Sequence, residues 1–401
     1  MDEILRLIYR NLLEHTPTSL HRFLFASFEL KDRLTGIIGP RGVGKTTFML
    51  QYIKEKLDAK TAFYFSADHF YFTEHRLYDF VVNLHQHEDC RYFFIDEVHK
   101  YPNWDQELKN LYDGFPNIFL IFSGSSSLKI TESNFDLSRR ARMLSLPGLS
   151  FREYLNFATQ ANYPSISFEA FIKDHRQLDE LIPQIPKLKG HFQDYLRQGF
   201  YPFYQEQPLS YHEKLVAIMD KTIFEDISEH YNIKTSSLAV HRKILTYLAS
   251  TPPGDLSTHN LAKNMNADDR TILNFLTHLC RTGLIRLIYP AESGNRGLTR
   301  PEKIFLNNTN FQYALEGRIQ GTLDIGRLRE LAFIQMIQGA GLEAFHSKTG
   351  DYQVQHFYFE IGGKNKTAKQ IKNSEHSFLV KDDLMLSTKI EIPLMYFGFL
   401  Y

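Results

Sequence analysis

The sequence predicts an α/β layered domain with a parallel sheet, followed by a longer helical and mixed α+β region. Three observations point there. Between Leu34 and Leu146, short apolar runs alternate with helical stretches. After Ser150 the strands disappear and prolines punctuate a helical pattern. After Ser236, three helical segments and two short strands lead into a last helix and further strands. Strands apolar on both faces, each followed by a helix, pack as a parallel sheet covered by helices.

Each element follows from local pattern. Met1–His15 places Ile4, Leu7, Ile8 and Leu12 at helical spacing, which predicts a short amphipathic helix. Leu34–Ile38, Thr61–Ser66, Arg91–Asp96 and Asn117–Ser123 read as strands, with Arg142–Leu146 a fifth, and Thr46–Leu57, Leu77–His87 and Trp104–Asp113 as helices. Helices are then expected over Phe151–Ala158, Phe168–Leu181, His191–Gln198 and His212–Glu229, broken by Pro183, Pro186, Pro202 and Pro208. Leu238–Ser250, Ser257–Asn264 and Asp268–Thr282 predict three helices, and Leu284–Tyr289 with Lys303–Leu306 a hairpin. Three helices with a β-hairpin make a winged-helix arrangement, with Leu245, Leu248, Leu261, Ile272, Leu276 and Leu279 facing one core. From Leu328 the pattern is a helix, then strands near Gln353–Ile361 and Ile390–Leu400. The expected divisions are 1–150, 151–235 (a helical lid or linker), 236–310 and 311–401.

Composition narrows the function classes. Hydrophobic residues make up 43% and charged residues 23% of the 401, which excludes a disordered chain or a coiled-coil rod. The 46 basic and 46 acidic side chains cancel, so no whole-molecule positive field drives polyanion binding. Cys90 and Cys280, the two cysteines, show no metal or disulfide spacing. With an acidic start at Asp2-Glu3 and no long apolar run, a cytoplasmic location is expected. The 17 histidines form no HExxH or other paired metal spacing, so no metal beyond Mg²⁺ is assigned.

Gly39-Pro40-Arg41-Gly42-Val43-Gly44-Lys45-Thr46 matches the phosphate-binding loop at every fixed position. Its glycines let backbone N–H groups turn toward a triphosphate without a Cβ in the way. Lys45 is expected to reach the β- and γ-phosphates and Thr46 to offer its hydroxyl to Mg²⁺, with Thr47 completing the nucleotide-binding run. The helix that follows aims its amino end at the same anion. In Tyr92-Phe93-Phe94-Ile95-Asp96-Glu97, four apolar residues run into two carboxylates at the carboxyl end of a strand, where α/β sheets bind ligands. Asp96 is the expected Mg²⁺ partner and Glu97 the expected general base for an attacking water.

The stretch from Gly39 through Glu153 resembles AAA+-type ATPases. The wider chain resembles a prokaryotic ATPase family that joins an AAA domain to a winged helix and a C-terminal nuclease-like domain. The matching pieces are the phosphate-binding loop, Phe94-Ile95-Asp96-Glu97-Val98-His99, Ser123-Gly124-Ser125-Ser126-Ser127, Leu149-Ser150-Phe151-Arg152-Glu153-Tyr154 and Phe359-Glu360-Ile361-Gly362-Gly363-Lys364. The resemblance implies a polar sensor after the fourth strand, Ser123 or Ser125. It also implies a γ-phosphate arginine in Leu137-Ser138-Arg139-Arg140, where Arg140 matches and Arg139 is the neighbouring alternative, acting in cis or in trans. For the tail it implies a restriction-endonuclease-like fold with Glu330, Asp351 and Glu360 around Mg²⁺. The triplet reads Glu360-Ile361-Gly362, without the lysine that such sites carry, and Lys364 follows two residues later.

The expected function is therefore an ATP-binding, ATP-hydrolysing protein with Mg²⁺, coupled to DNA or a protein partner through its later domains. The alternatives are a nucleotide-dependent switch or DNA-binding module with little turnover, and an ATP-gated nuclease. The third helix of the winged-helix segment has balanced charge, with Asp268, Asp269, Arg270 and Arg281. The wing offers Arg296, Arg300 and Lys303, and the tail offers Lys364, Lys366, Lys369 and Lys372, as basic segments.

Overall fold

The computed structural model describes residues 2–124, 137, 139–206, 208–251, 256–291, 300–318, 324–367, 371 and 376–401. The chain divides into two compact units, Met1–Gly148 and Leu149–Tyr401. The expected divisions near 235 and 310 fall inside the second unit.

In the first unit, strands β1 (Leu34–Ile38), β2 (Ala62–Ser66), β3 (Tyr92–Asp96), β4 (Phe119–Gly124) and β5 (Arg142–Ser145) form one sheet in the order β2-β3-β4-β1-β5. Every pairing is parallel. Leu34, Ile37, Phe93, Phe94, Ile95, Leu120, Ile121 and Phe122 are fully buried, as strands covered on both faces require. Truncating one of these phenylalanines to alanine costs about 3–5 kcal/mol. Helices α1 (Asp2–His15), α2 (Lys45–Lys56), α3 (Leu77–Glu88) and α4 (Trp104–Gly114) complete the unit.

Helix α1 forms where the spacing places it. Its buried residues are Leu5 and Tyr9, whereas Ile4, Leu7, Ile8 and Leu12 are exposed. Helical spacing marks a stripe of common chemistry, but it does not say which stripe meets the sheet.

The second unit opens with α5 (Phe151–Thr159), whose capping box pairs Ser150 with Glu153. Helices α6 (Phe168–Lys173), α7 (Leu188–Gln198) and α8 (Tyr211–Lys221) follow. The expected helix over Phe168–Leu181 is interrupted, since Asp174 leaves helical geometry (φ −157°) and ends α6. The one expected over His212–Glu229 runs on without a break through α8, a π-helical turn at Thr222–Ile227 and a last turn at Ser228–Tyr231. Next come α9 (Thr235–Ser250), α10 (Thr258–Met265), α11 (Asp269–Arg281) and the antiparallel pair β6 (Ile285–Ile288) and β7 (Lys303–Leu306). Buried between α9 and α11, His241 Nε2 lies 3.2 Å from His278 Nδ1.

Helices α12 (Thr309–Glu316) and α13 (Ile325–Gly339) precede a mixed sheet of β8 (Phe345–His346), β9 (Tyr352–Val354), β10 (Phe357–Gly362), β11 (Ser377–Lys381) and β12 (Glu391–Pro393). Its order is β12-β11-β10-β9-β8, parallel from β10 to β12 and antiparallel from β8 to β10. The expected strand Ile390–Leu400 ends early at Pro393, and Leu394–Phe399 closes into a 3₁₀ turn. Proline has no N–H to extend the ladder. One core joins Phe151 and Tyr195 to Ile288, Phe305, Phe333 and Phe359, drawing on helices, hairpin and terminal sheet together.

Candidate nucleotide site

The phosphate-binding loop links β1 to α2. Gly42 (φ 82°) and Gly44 (φ 94°) take left-handed conformations that L side chains rarely adopt. At Gly39 the constraint is space, since an added Cβ would lie 2.1 Å from the Leu146 carbonyl oxygen. Lys45 is buried, its Nζ donating to the carbonyls of Gly39 (2.9 Å) and Pro40 (3.0 Å). Beneath the loop lies the buried guanidinium of Arg22, which donates to the carbonyls of Val43 (2.5 Å), Pro147 (2.7 Å) and Gly148 (3.1 Å).

Strand order explains the rest of the site. Because β4 lies between β1 and β3, the ends of three adjacent strands carry the loop, Ser123 and Asp96. Register pairs Ile38 with Gly124 and Ile95 with Phe122, which sets Ser123 beside Asp96. The buried Asp96 carboxylate accepts from four donors. Thr46 Oγ1 (2.5 Å) and Tyr64 OH (2.9 Å) reach Oδ2, while Ser123 Oγ and the Glu97 N–H (3.0 Å) reach Oδ1. Ser123 Oγ in turn accepts from the Glu97 N–H at 3.3 Å. Burial, with Asp96 adding to it, pushes the Tyr64 hydroxyl well above its ordinary value and keeps it a neutral donor.

Glu97 adopts a left-handed backbone (φ 51°) at the strand end. Burial raises its carboxyl above the ordinary glutamate value, against the lowering pull of Lys45 and with a further push from Asp96. His99, itself buried, holds Nε2 3.4 Å from Glu97 Oε2. The loop, Lys45, Thr46, Asp96, Glu97 and Ser123 therefore converge, and Ser125 lies outside the described residues.

Arg140 is elsewhere. Its guanidinium pairs with Asp113 at the end of α4, with Nε at 3.0 Å and Nη2 at 3.2 Å. It precedes β5, whose Arg142 pairs with Thr35 near the start of β1. Four residues of strand, about 13 Å, separate that level from Gly39. Arg140 thus sits at the amino edge of the sheet, away from the loop of its own chain. Arg139 is exposed at the same turn.

The tail's carboxylates are engaged by lysines. Lys303 Nζ lies 2.6 Å from Glu330 and 4.0 Å from Asp351, and Tyr352 OH donates to Glu330 at 2.5 Å. Fully buried Glu360 pairs with Lys366 at 2.6 Å. The lysine that reaches Glu360 is therefore Lys366 and not Lys364. Its stem crosses Gly362, where a Cβ would lie 2.4 Å from it. Among the described residues no group of three or more metal-ligating side chains is assembled. On the hairpin, Arg300 is paired with Asp269 of α11 at 2.9 Å. Arg296, Lys369 and Lys372 lie outside the described residues.

Sequence reading missed Arg22 and Tyr64. Arg22 is a single arginine in an unpatterned segment and reaches carbonyls as far along the chain as Gly148, so no local signal marks it. Tyr64 gives a faint one, a hydroxyl inside an apolar strand, and only the pairing of Ser66 with Asp96 brings it to the site.

With this geometry in place, comparison with known proteins gives a class for the first unit. A family model described as an AAA domain matches residues 31–155. These residues are an AAA-type P-loop domain with a parallel α/β sheet, a domain type that points to nucleotide binding and hydrolysis. A model described as a domain of unknown function, DUF8612, matches residues 189–320. The chain is similar to the uncharacterized protein MJ1637 of Methanocaldococcus jannaschii, 31% identical over 68% of this chain and 60% of the relative. It thus spans about three-fifths of that relative's length. It is also similar to the uncharacterized protein MJ1544 of the same organism, 24% identical over 85% of this chain and 75% of the relative. A structure from work on katanin self-assembly aligns with 39% of this chain and 57% of its own at 17% identity and a TM-score of 0.25, too weak a likeness to carry any argument. No helix among the described residues is long and apolar enough to cross a membrane.

Proposed function

We propose that this chain hydrolyses ATP in a Mg²⁺-dependent reaction. One observation carries the reading: Thr46, Ser123 and Asp96 meet at the carboxyl ends of adjacent strands, beside a loop built around Lys45. The residues fit the nucleotide and its ion. The turned glycines and the close approach at Gly39 make room for phosphates, and Thr46 with Asp96 gives a hydroxyl and a carboxylate suited to a hard cation. When bound, Mg²⁺ supplies charge neutralisation on the phosphate oxygens.

Lys45 and the loop N–H groups bind the phosphates, and Ser123 acts as a positioning residue that fixes Asp96 and the Glu97 backbone. Glu97 takes a proton from the attacking water as oxygen adds to the γ-phosphorus, and the bond to the bridging oxygen breaks to leave ADP and phosphate. The test is phosphate release for wild type and Glu97→Gln. The reading predicts that turnover is lost at least about 100-fold with nucleotide binding retained, since general-base catalysis is worth roughly that much. Equal turnover in the variant refutes it.

The placement of Arg140 favours a second reading, a nucleotide-dependent switch with little turnover unless a neighbouring subunit supplies the arginine. Turnover per chain that rises with protein concentration, and is abolished by Arg140→Ala, supports the trans arginine. In the second unit, α9, α10, α11 and the β6–β7 hairpin are proposed as a winged helix. Its hairpin residues Arg300 and Lys303 already neutralise carboxylates, which supports a docking role over DNA contact through the wing. Residues 311–401 are likewise proposed as a restriction-endonuclease-like domain, and the lysine-engaged carboxylates speak for a site without cleavage activity.

A further inference from the structure

A cavity lies in the C-terminal unit, between the end of α6 and the β11–β12 edge. It encloses about 550 Å³ and is lined by Lys173, His175, Arg176, His376, Ser377 and Lys389, with Asp174 as its acid. Asp174 is engaged by Arg176 (3.1 Å), and neither Lys173 nor Lys389 has a carboxylate partner among the described residues. Two polar atoms here, Ser377 Oγ and His175 Nδ1, are buried without a hydrogen-bond partner among the described residues. His175 is 4% exposed, and its Nε2–H donates to the Thr388 carbonyl at 2.8 Å, which fixes the ring and leaves Nδ1 for another group. Buried polar atoms normally have partners; His175 Nδ1 is left as an acceptor, while the unsatisfied Ser377 hydroxyl in a cation-lined cavity marks a place for an acceptor such as a phosphate oxygen.

Beside the cavity, the rings of His356, Phe357 and His376 pack together, with centroids 3.9 Å apart for His356 and Phe357 and 5.6 Å for the two histidines. Both histidines are exposed. Cations that follow a backbone, next to partly exposed ring faces, are the ingredients of single-strand recognition.

We infer that this groove binds a phosphodiester of a single-stranded nucleic acid. Lys173 and Lys389 face the phosphate, the Ser377 hydroxyl donates to it, and bases stack on the histidine ledge. The site lies wholly in the second unit and is separate from the ATPase reading; strand binding is expected without nucleotide.

The test measures fluorescence anisotropy of a labelled oligothymidylate of about 15 nucleotides with the full-length chain, without ATP, across about 50 to 200 mM salt. The Lys173→Ala/Lys389→Ala pair is expected to weaken binding about tenfold and to lessen the log–log salt slope by about 0.7, the value for one phosphate no longer neutralised. The arginine pair at the same positions should retain binding. Both lysines are exposed, so unchanged melting is expected, and so is ATP turnover at the wild-type level. His356→Ala should weaken binding several-fold, as removal of a stacking surface does. No binding by wild type, or equal affinity and slope for wild type and the alanine pair, overturns the inference. So does calorimetric binding of inorganic phosphate that the alanine pair abolishes while the oligonucleotide does not bind.

Discussion

At Glu97, two demands meet in one residue. Its backbone sits in a left-handed turn held by Ser123 and Asp96, and its carboxyl is raised by burial. A general base works in its ionised form, so turnover should rise with pH through that raised value and fall below it. The acid limb of the kcat profile is therefore expected above the ordinary glutamate range, and the limb should be missing from the residual activity of Glu97→Gln. A limb at the ordinary value would remove Glu97 from that role. Gly39 tests the loop independently. A methyl there meets the Leu146 carbonyl oxygen, so Gly39→Ala should cost about 1–3 kcal/mol of stability and abolish nucleotide binding, measured by denaturation and by a fluorescent ATP analogue. Glycine spacing made the loop readable from sequence. The Arg22 buttress was not, because its partners are tertiary.

Among the elements, the β6–β7 hairpin and β10 carry the charges that tertiary packing redefines. Lys303 looks like a wing cation, yet it is an ion-pair partner of Glu330. Lys366→Ala leaves buried Glu360 without its cation. It should cost about 2 kcal/mol, below the usual 3–5 for a buried pair because the ammonium is partly exposed, and Glu360→Leu in the same chain should restore stability. Urea denaturation of the single and double variants decides this. The α9–α11 contact adds a pH effect. Burial, then the neighbouring charges of His241, Arg281 and His230, lowers His278 from 6.5 to about 4. Between those values the unfolded chain binds more protons, so stability should fall as pH drops below 6.5 and level off near 4, with His278→Asn flattening the slope. Helix α1 shows the limit of periodicity: its spacing was correct, but the sheet packs against Leu5 and Tyr9.

Across the whole molecule, two units with separate cores predict separate responses to ligand. Mg²⁺-ATP at about 100 times its Kd should stabilise the first unit by about 2.7 kcal/mol and leave the second unchanged. Calorimetry should show one transition moving and the other fixed, with the shift absent in Lys45→Ala. Much of the first unit was legible in the residues, since phosphate binding and parallel sheets impose local rules: glycines at set spacing, a lysine and threonine after them, and apolar strands ending in carboxylates. Those rules act over a few neighbours and leave a mark in the sequence. What required folding was every relation between distant segments. Strand order put Ser123 between the loop and Asp96 and sent Arg140 to the opposite edge of the sheet. Packing merged the expected lid, hairpin and tail into one core and drew lysines onto the tail's carboxylates. Such contacts depend on which buried faces and charges fit together in space, and no local spacing encodes that choice.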